Sequence, residues 1–184
     1  MKLYKEDEES KENFLFRIMN RFDMDLEVCY NYKMKDGSLG FSKWVRFLEL
    51  SEYDNKDYIP KLYMTKENFI RKITHRSVLD IELMLDLDEH GLLKDKDTHL
   101  DFIINKLKEQ NIEYVVYFTG SKSYHISILL PFLKSKTKQE RTELKRKLIN
   151  MFIGDSQKAS SRCMISLEGE VHYKSGKIKK RVYK

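Results

Sequence analysis

Leu79-Asp80-Ile81-Glu82-Leu83-Met84-Leu85-Asp86-Leu87-Asp88 is the stretch on which the reading of this chain turns. Leu79, Ile81, Leu83, Leu85 and Leu87 fall on one side of an extended chain, and Asp80, Glu82, Met84, Asp86 and Asp88 on the other. The alternation predicts a β-strand with one face in a hydrophobic core. It also makes Asp86 and Asp88 neighbours at the strand end, their Cα atoms about 7 Å apart at the usual rise.

Downstream, Leu100, Ile103, Ile104 and Leu107 recur at helical spacing, and a β-rich run follows from Ile112 to Phe118. A short turn then leads into a strand from Tyr124 to Leu130, closed by Pro131. Thr137 with Glu140 three residues on is a capping-box pattern, opening a helix whose buried stripe is Leu144, Leu148, Ile149 and Phe152. A last extended segment runs from Met164 to Leu167, and Lys174-Ser175-Gly176-Lys177 reads as a turn.

Upstream, Phe14, Leu15, Ile18, Met19 and Phe22 predict an amphipathic helix over residues 11–22. The alternation from Leu26 to Tyr32, the Asp36-Gly37 pair and an extended run from Trp44 to Leu50 suggest an antiparallel pair. Residues 51–60 read as a loop before a helix containing Phe69, Ile70 and Ile73. Strands and helices are interspersed, yet the apparent hairpins argue against a doubly wound parallel sheet. The expected fold is α+β with a mixed or antiparallel central sheet, and the length of 184 residues suits one domain over 1–184.

Charged residues make up 35 % of the chain, hydrophobic ones 41 %, and Gly and Pro are few, so the composition is that of a folded protein rather than a disordered one. The net charge of +6 is uneven: Glu6 to Glu9 are acidic, whereas Lys174, Lys177, Lys179, Lys180, Arg181 and Lys184 crowd the end. Such an ending suits a polyanionic partner, and equally a surface that is simply well solvated. Cys29 and Cys163 are isolated, which offers no disulfide framework or zinc spacing and fits a reducing, cytoplasmic setting. No stretch approaches the roughly 20 apolar residues of a membrane span, so no membrane partner is expected.

Three constellations carry chemistry. Asp86 and Asp88 project the same way, and hard carboxylate oxygens at that spacing suit shared ligation of Mg²⁺ or Mn²⁺. Taken alone, an Asp-x-Asp also reads as two ordinary acids at a solvated strand end. Thr119-Gly120-Ser121-Lys122-Ser123-Tyr124-His125 joins two β segments with small residues that let backbone approach a ligand, and Lys122 and His125 are its candidate phosphate contacts. A His opening a strand is otherwise a packed structural residue. The third set is Asp155, Arg162 and the run from His172 to Lys177: a further acid for a metal, with cations to neutralise a triphosphate, or a loop acid followed by a basic hairpin.

The order of these constellations resembles the archaeo-eukaryotic primase superfamily, over about residues 62–177. Leu85-Asp86-Leu87-Asp88 looks like the family's acidic motif, Thr119 to His125 like its small-residue/His motif, and His172-x-Lys174 with Gly176 like its nucleotide-binding segment. The resemblance implies a primase-type core with an RRM-like half carrying the acids. It implies template-directed nucleotidyl transfer, in which a 3′-hydroxyl attacks the α-phosphate of an NTP or dNTP on a single-stranded DNA template and pyrophosphate leaves. Asp86, Asp88 and Asp155 would hold two Mg²⁺ or Mn²⁺ ions, with Glu168 or Glu170 as alternatives to Asp155. Ser121, Lys122, His125, Arg162, His172 and Lys174 would contact the nucleotide. A helicase or accessory primase subunit is the kind of partner implied, and the chain is either a stand-alone enzyme or a domain of a larger replication protein. The same residue types also fit a metal-dependent nuclease, or a replication-initiator domain that binds nucleic acid without turnover.

Overall fold

The structure, a computed structural model, describes residues 16, 18–21, 23–24, 26–33, 36, 38–41, 44–47, 73–87, 95–160, 163–172 and 175–182. The chain forms two compact units, one of residues 1–77 with Ile165–Leu167, the other of Val78–Met164 with Glu168–Lys184. The architecture is α+β, with an antiparallel sheet of small strands in each unit.

In the first unit β1 (Glu27–Lys33) pairs antiparallel with β2 (Leu39–Phe41), β3 (Val45–Arg46) and β4 (Ile73–Ser77). β8 (Met164–Ser166) lies on the far side of β4. Leu26, Val28, Cys29, Val45 and Phe47 are among its buried apolar residues. The expected antiparallel pair is present, but Ile73 opens a strand and not a helix. Its Cα partner is Tyr30, and the β-branched Ile73-Thr74 pair suits a pleated surface better than a helical turn. Of the expected N-terminal helix, residues 16 and 18–21 are helical; its remainder, Phe69 and Ile70 lie outside the described residues.

The second unit holds β5 (Glu82–Leu87), α1 (Lys96–Glu109), β6 (Tyr114–Phe118), β7 (Tyr124–Leu129), α2 (Lys138–Met151) and β9 (Lys180–Val182). Its sheet runs β5-β7-β6-β9, antiparallel throughout. The β5-α1-β6-β7 portion is a split β-α-β arrangement, with β7 inserted between β5 and β6. Asp95 caps α1 by accepting from Thr98 N, and the capping box at Thr137 and Glu140 opens α2. Leu83, Leu85 and Leu87 of β5, Val116 of β6 and Ile126 and Ile128 of β7 form one core with Leu100, Ile103, Ile104 and Leu107 of α1 and Ile149 of α2.

The opposite face of β5 is not the solvated face that its alternation suggests. Glu82 and Met84 are as buried as the leucines, because a polar network closes over the start of the strand. Glu82 accepts from Leu79 N (3.1 Å) and Ser127 Oγ (2.6 Å), and the buried Lys145 donates from Nζ to Leu79 O (2.7 Å). Asp80 leaves the pattern altogether: it lies in the turn before β5 and pairs with Arg141 at 2.8 Å. The run of alternation is therefore longer than the strand.

Candidate active site

Register brings the three constellations to one end of the second sheet. Asp86 pairs with His125 and Leu87 with Tyr124, so the end of β5 and the start of β7 lie side by side. Phe118, the last residue of β6, pairs with Lys180, which draws the segment before β9 to the same end. Because opposed residues in an antiparallel pair share a face, Asp86, His125 and Tyr117 stand together, away from the leucine core.

Asp86 is the centre of this group. His125 Nε2 lies 3.5 Å from Asp86 Oδ2, and Lys158 Nζ lies 3.3 Å from the same oxygen. Asp86 Oδ1 and His125 Nδ1 are buried without a hydrogen-bond partner. Burial pushes the Asp86 carboxyl up, but hydrogen bonding from His125 and the hydrogen bond and ammonium charge of Lys158 outweigh it and bring the group down to about 2. His125 is shifted down, first by burial and then by the positive charge of Lys179, with Asp86 opposing; it is therefore held neutral, one ring nitrogen a donor and the other an acceptor.

Asp155 reaches this group through the exit from α2. Ile153 adopts φ 58°, a left-handed conformation unusual for a β-branched residue, and turns the chain after the helix. A side chain at Gly154 would crowd Ile149, so the glycine lets the strand edge and the helix exit approach. Asp155 N then donates to Asp86 O at 3.4 Å. The Asp155 side chain caps the short 3₁₀ turn Ser156–Ala159 by accepting from Gln157 N at 2.9 Å, and its Oδ2 lies 4.0 Å from Lys158 Nζ.

The turn from Thr119 to Ser123 is closed by Thr119 N and Oγ1 donating to Ser123 O, each at 3.0 Å. It is stitched to the third constellation: Ser175 Oγ donates to Gly120 O, and a Cβ at Gly120, where φ is 85°, would stand 2.5 Å from Lys177 O. His172 N donates to Lys177 O, Gly176 N to His172 O, and Ser175 N to His172 Nδ1, which holds His172 against Ser175, Gly176 and Lys177. From the other side, Lys96 Nζ at the start of α1 donates to Lys122 O at 3.0 Å and sits over the rings of Phe118 and Tyr124.

Of the expected site residues, Asp86, His125 and Asp155 are brought together, while Ser121, Lys122 and His172 lie on two turns joined to each other. Asp88, Arg162 and Lys174 lie outside the described residues. Glu168 is buried and bound to Lys179 at 3.1 Å, and Glu170, also buried, accepts from Val171 N. Lys179 lies over the Tyr117 ring and is thus an interior cation, not part of a basic tail.

Sequence reasoning missed Lys158. Its signal is its position three residues after Asp155, within reach of the acid once the segment turns helically. Among the described residues no three His, Cys, Asp or Glu side chains are grouped so as to hold a metal. The donor chemistry nonetheless fits a hard divalent cation: the group contributes carboxylate oxygens, and one of them is buried and bare. Comparisons of the chain with protein-family models, with curated proteins and with solved structures return no match.

Proposed function

We propose that this chain is a metal-dependent, template-directed nucleotidyltransferase of the archaeo-eukaryotic primase type. The observation that carries the reading is the convergence of Asp86, His125 and Asp155, distant in sequence, on one sheet end where Asp86 retains a buried, unpartnered oxygen. The split β-α-β order of the second unit is the arrangement expected of an RRM-like half carrying the acids.

Asp86 and Asp155, with Asp88 beside them in sequence, would hold Mg²⁺ or Mn²⁺. Bound there, the cation supplies charge neutralisation at the α-phosphate and activation of the attacking 3′-hydroxyl. The chain's own contribution is positional. Neutral His125, buried beside Asp86, directs its Nε2 at Asp86 Oδ2 and so orients the carboxylate that would hold the ion. The turns around Gly120 and Ser175 are joined by a hydrogen bond, and Lys122 and Lys177 are exposed on them, where they would meet a triphosphate. Arg162 and Lys174 are assigned to the triphosphate on the resemblance.

Incubation of the chain with single-stranded template, with and without annealed primer, labelled NTPs or dNTPs and Mg²⁺ or Mn²⁺ tests this. Template-dependent products are expected, and products without primer would make the enzyme a primase. Degraded template instead of extended product would identify a nuclease. DNA binding without either reaction would identify a binding domain.

A further inference from the structure

An ammonium already stands among the acids of this site. Lys158 Nζ is 3.3 Å from Asp86 Oδ2 and 4.0 Å from Asp155 Oδ2, and the Lys158 side chain is only 16 % exposed. The backbone fixes that place. Asp155 caps the turn that carries Lys158, Lys158 N donates to Asp155 O at 3.1 Å, and the next residue, Ala159, is buried in the leucine core. Lys158 is thus built into the site by a short anchored turn rather than reaching in from a solvated surface.

A pair of divalent ions in phosphoryl transfer sits about 3.5–4 Å apart and shares bridging carboxylates. Lys158 already engages Asp86 Oδ2 and faces Asp155 Oδ2, whereas Asp86 Oδ1 remains bare. His125, 95 % buried and with Nε2 directed at the same carboxylate, closes the other side.

We propose that Lys158 holds the place of one of the two cations, so that this site takes a single divalent ion, at Asp86 Oδ1. The proposal rests on the reading of Asp86 as a metal ligand and departs from the two-ion expectation. Lys158 is here a positioning residue for the acids and a fixed monovalent substitute for an ion.

The test counts Mn²⁺ bound by the full chain, from the electron paramagnetic resonance signal of the free ion, with Asp86→Asn as the baseline. Wild type is expected to bind one Mn²⁺ above that baseline, and Lys158→Met two. Lys158→Gln, which keeps a polar side chain, is expected to match Lys158→Met and serves if the latter fails to fold by circular dichroism. Two ions on the wild type overturn the proposal without any variant and leave the metal reading standing. One ion on both wild type and variants overturns it in the same way, because the ammonium then excludes nothing. No ion above baseline on any of the chains overturns both the proposal and the reading of Asp86 as a ligand.

Discussion

Asp86 and Lys145 are two charged groups near opposite ends of β5, and the chain treats them differently. Asp86 has cationic and hydrogen-bonding neighbours that favour its charged form. Lys145, 1 % exposed, has one short hydrogen bond to Leu79 O, and burial brings its ammonium down to about 8 against an ordinary 10.5, with Glu82 and Asp80 opposing. The sign of the linkage follows. Below pH 8 both folded and unfolded chains carry the proton and the folded chain bears the full desolvation cost. Between 8 and 10.5 the folded chain releases it first, so stability rises with pH through this group. Urea unfolding of wild type and Lys145→Met is expected to show a wild-type advantage growing by about 1.4 kcal/mol per pH unit across that window. A flat difference would mean that Lys145 titrates as a solvated lysine. At this scale the alternation of Leu79 to Asp88 was enough to locate Asp86, since strand period alone places it. Lys158 was not legible, because its contact depends on a 3₁₀ turn that follows a left-handed residue, Ile153, and nothing in a β-branched side chain announces that conformation.

At the scale of elements, the helices and central strands of the second unit were readable because their apolar spacing matches one period and their caps are explicit, as at Thr137 and Glu140. β9 was not. Lys180-Arg181-Val182 carries no apolar alternation and reads as a basic tail, yet it pairs with β6 as an edge strand, where charged side chains are well tolerated. Ile73 was misplaced for a related reason: a single apolar residue after Phe69 and Ile70 matches a helical spacing, whereas the pairing partner that makes it a strand lies more than forty residues earlier in β1. The joining of the Thr119–Ser123 turn to the His172–Lys177 turn was likewise beyond sequence reading, though both were recognised separately. Gly120 is the test of that joint. At φ 85°, and with Lys177 O standing where a Cβ would come within 2.5 Å, Gly120→Ala strains the backbone and separates the turns. The variant is expected to lose about 1–3 kcal/mol in urea unfolding and to weaken nucleoside triphosphate binding. Unchanged stability and affinity would mean that the two turns are not a shared support.

For the whole molecule, the +6 net charge suggested a polyanionic partner, but its distribution in the fold differs from its distribution in the sequence. Lys179 is consumed inside by Glu168, whereas Lys177 and Lys180 remain exposed at the same end of the sheet as Asp86. No helix among the described residues is long and apolar enough to cross a membrane. If that rim follows a template, affinity for single-stranded DNA falls with salt by a slope of about 0.7 for each phosphate neutralised. The double variant Lys177→Gln/Lys180→Gln is expected to reduce the slope by about 1.4, read from fluorescence anisotropy across a salt series. An unchanged slope would place the template elsewhere.

The account as a whole depends on Asp86 serving chemistry rather than packing, and the direct measurement is the initial rate of template-directed incorporation, with Mn²⁺, by wild type and by Asp86→Asn. The variant keeps the shape of the side chain and removes its charge. Loss of a metal contact costing several kcal/mol predicts a rate lower by at least about 100-fold, with the circular dichroism spectrum and DNA affinity retained. Incorporation by Asp86→Asn at the wild-type rate would contradict the account.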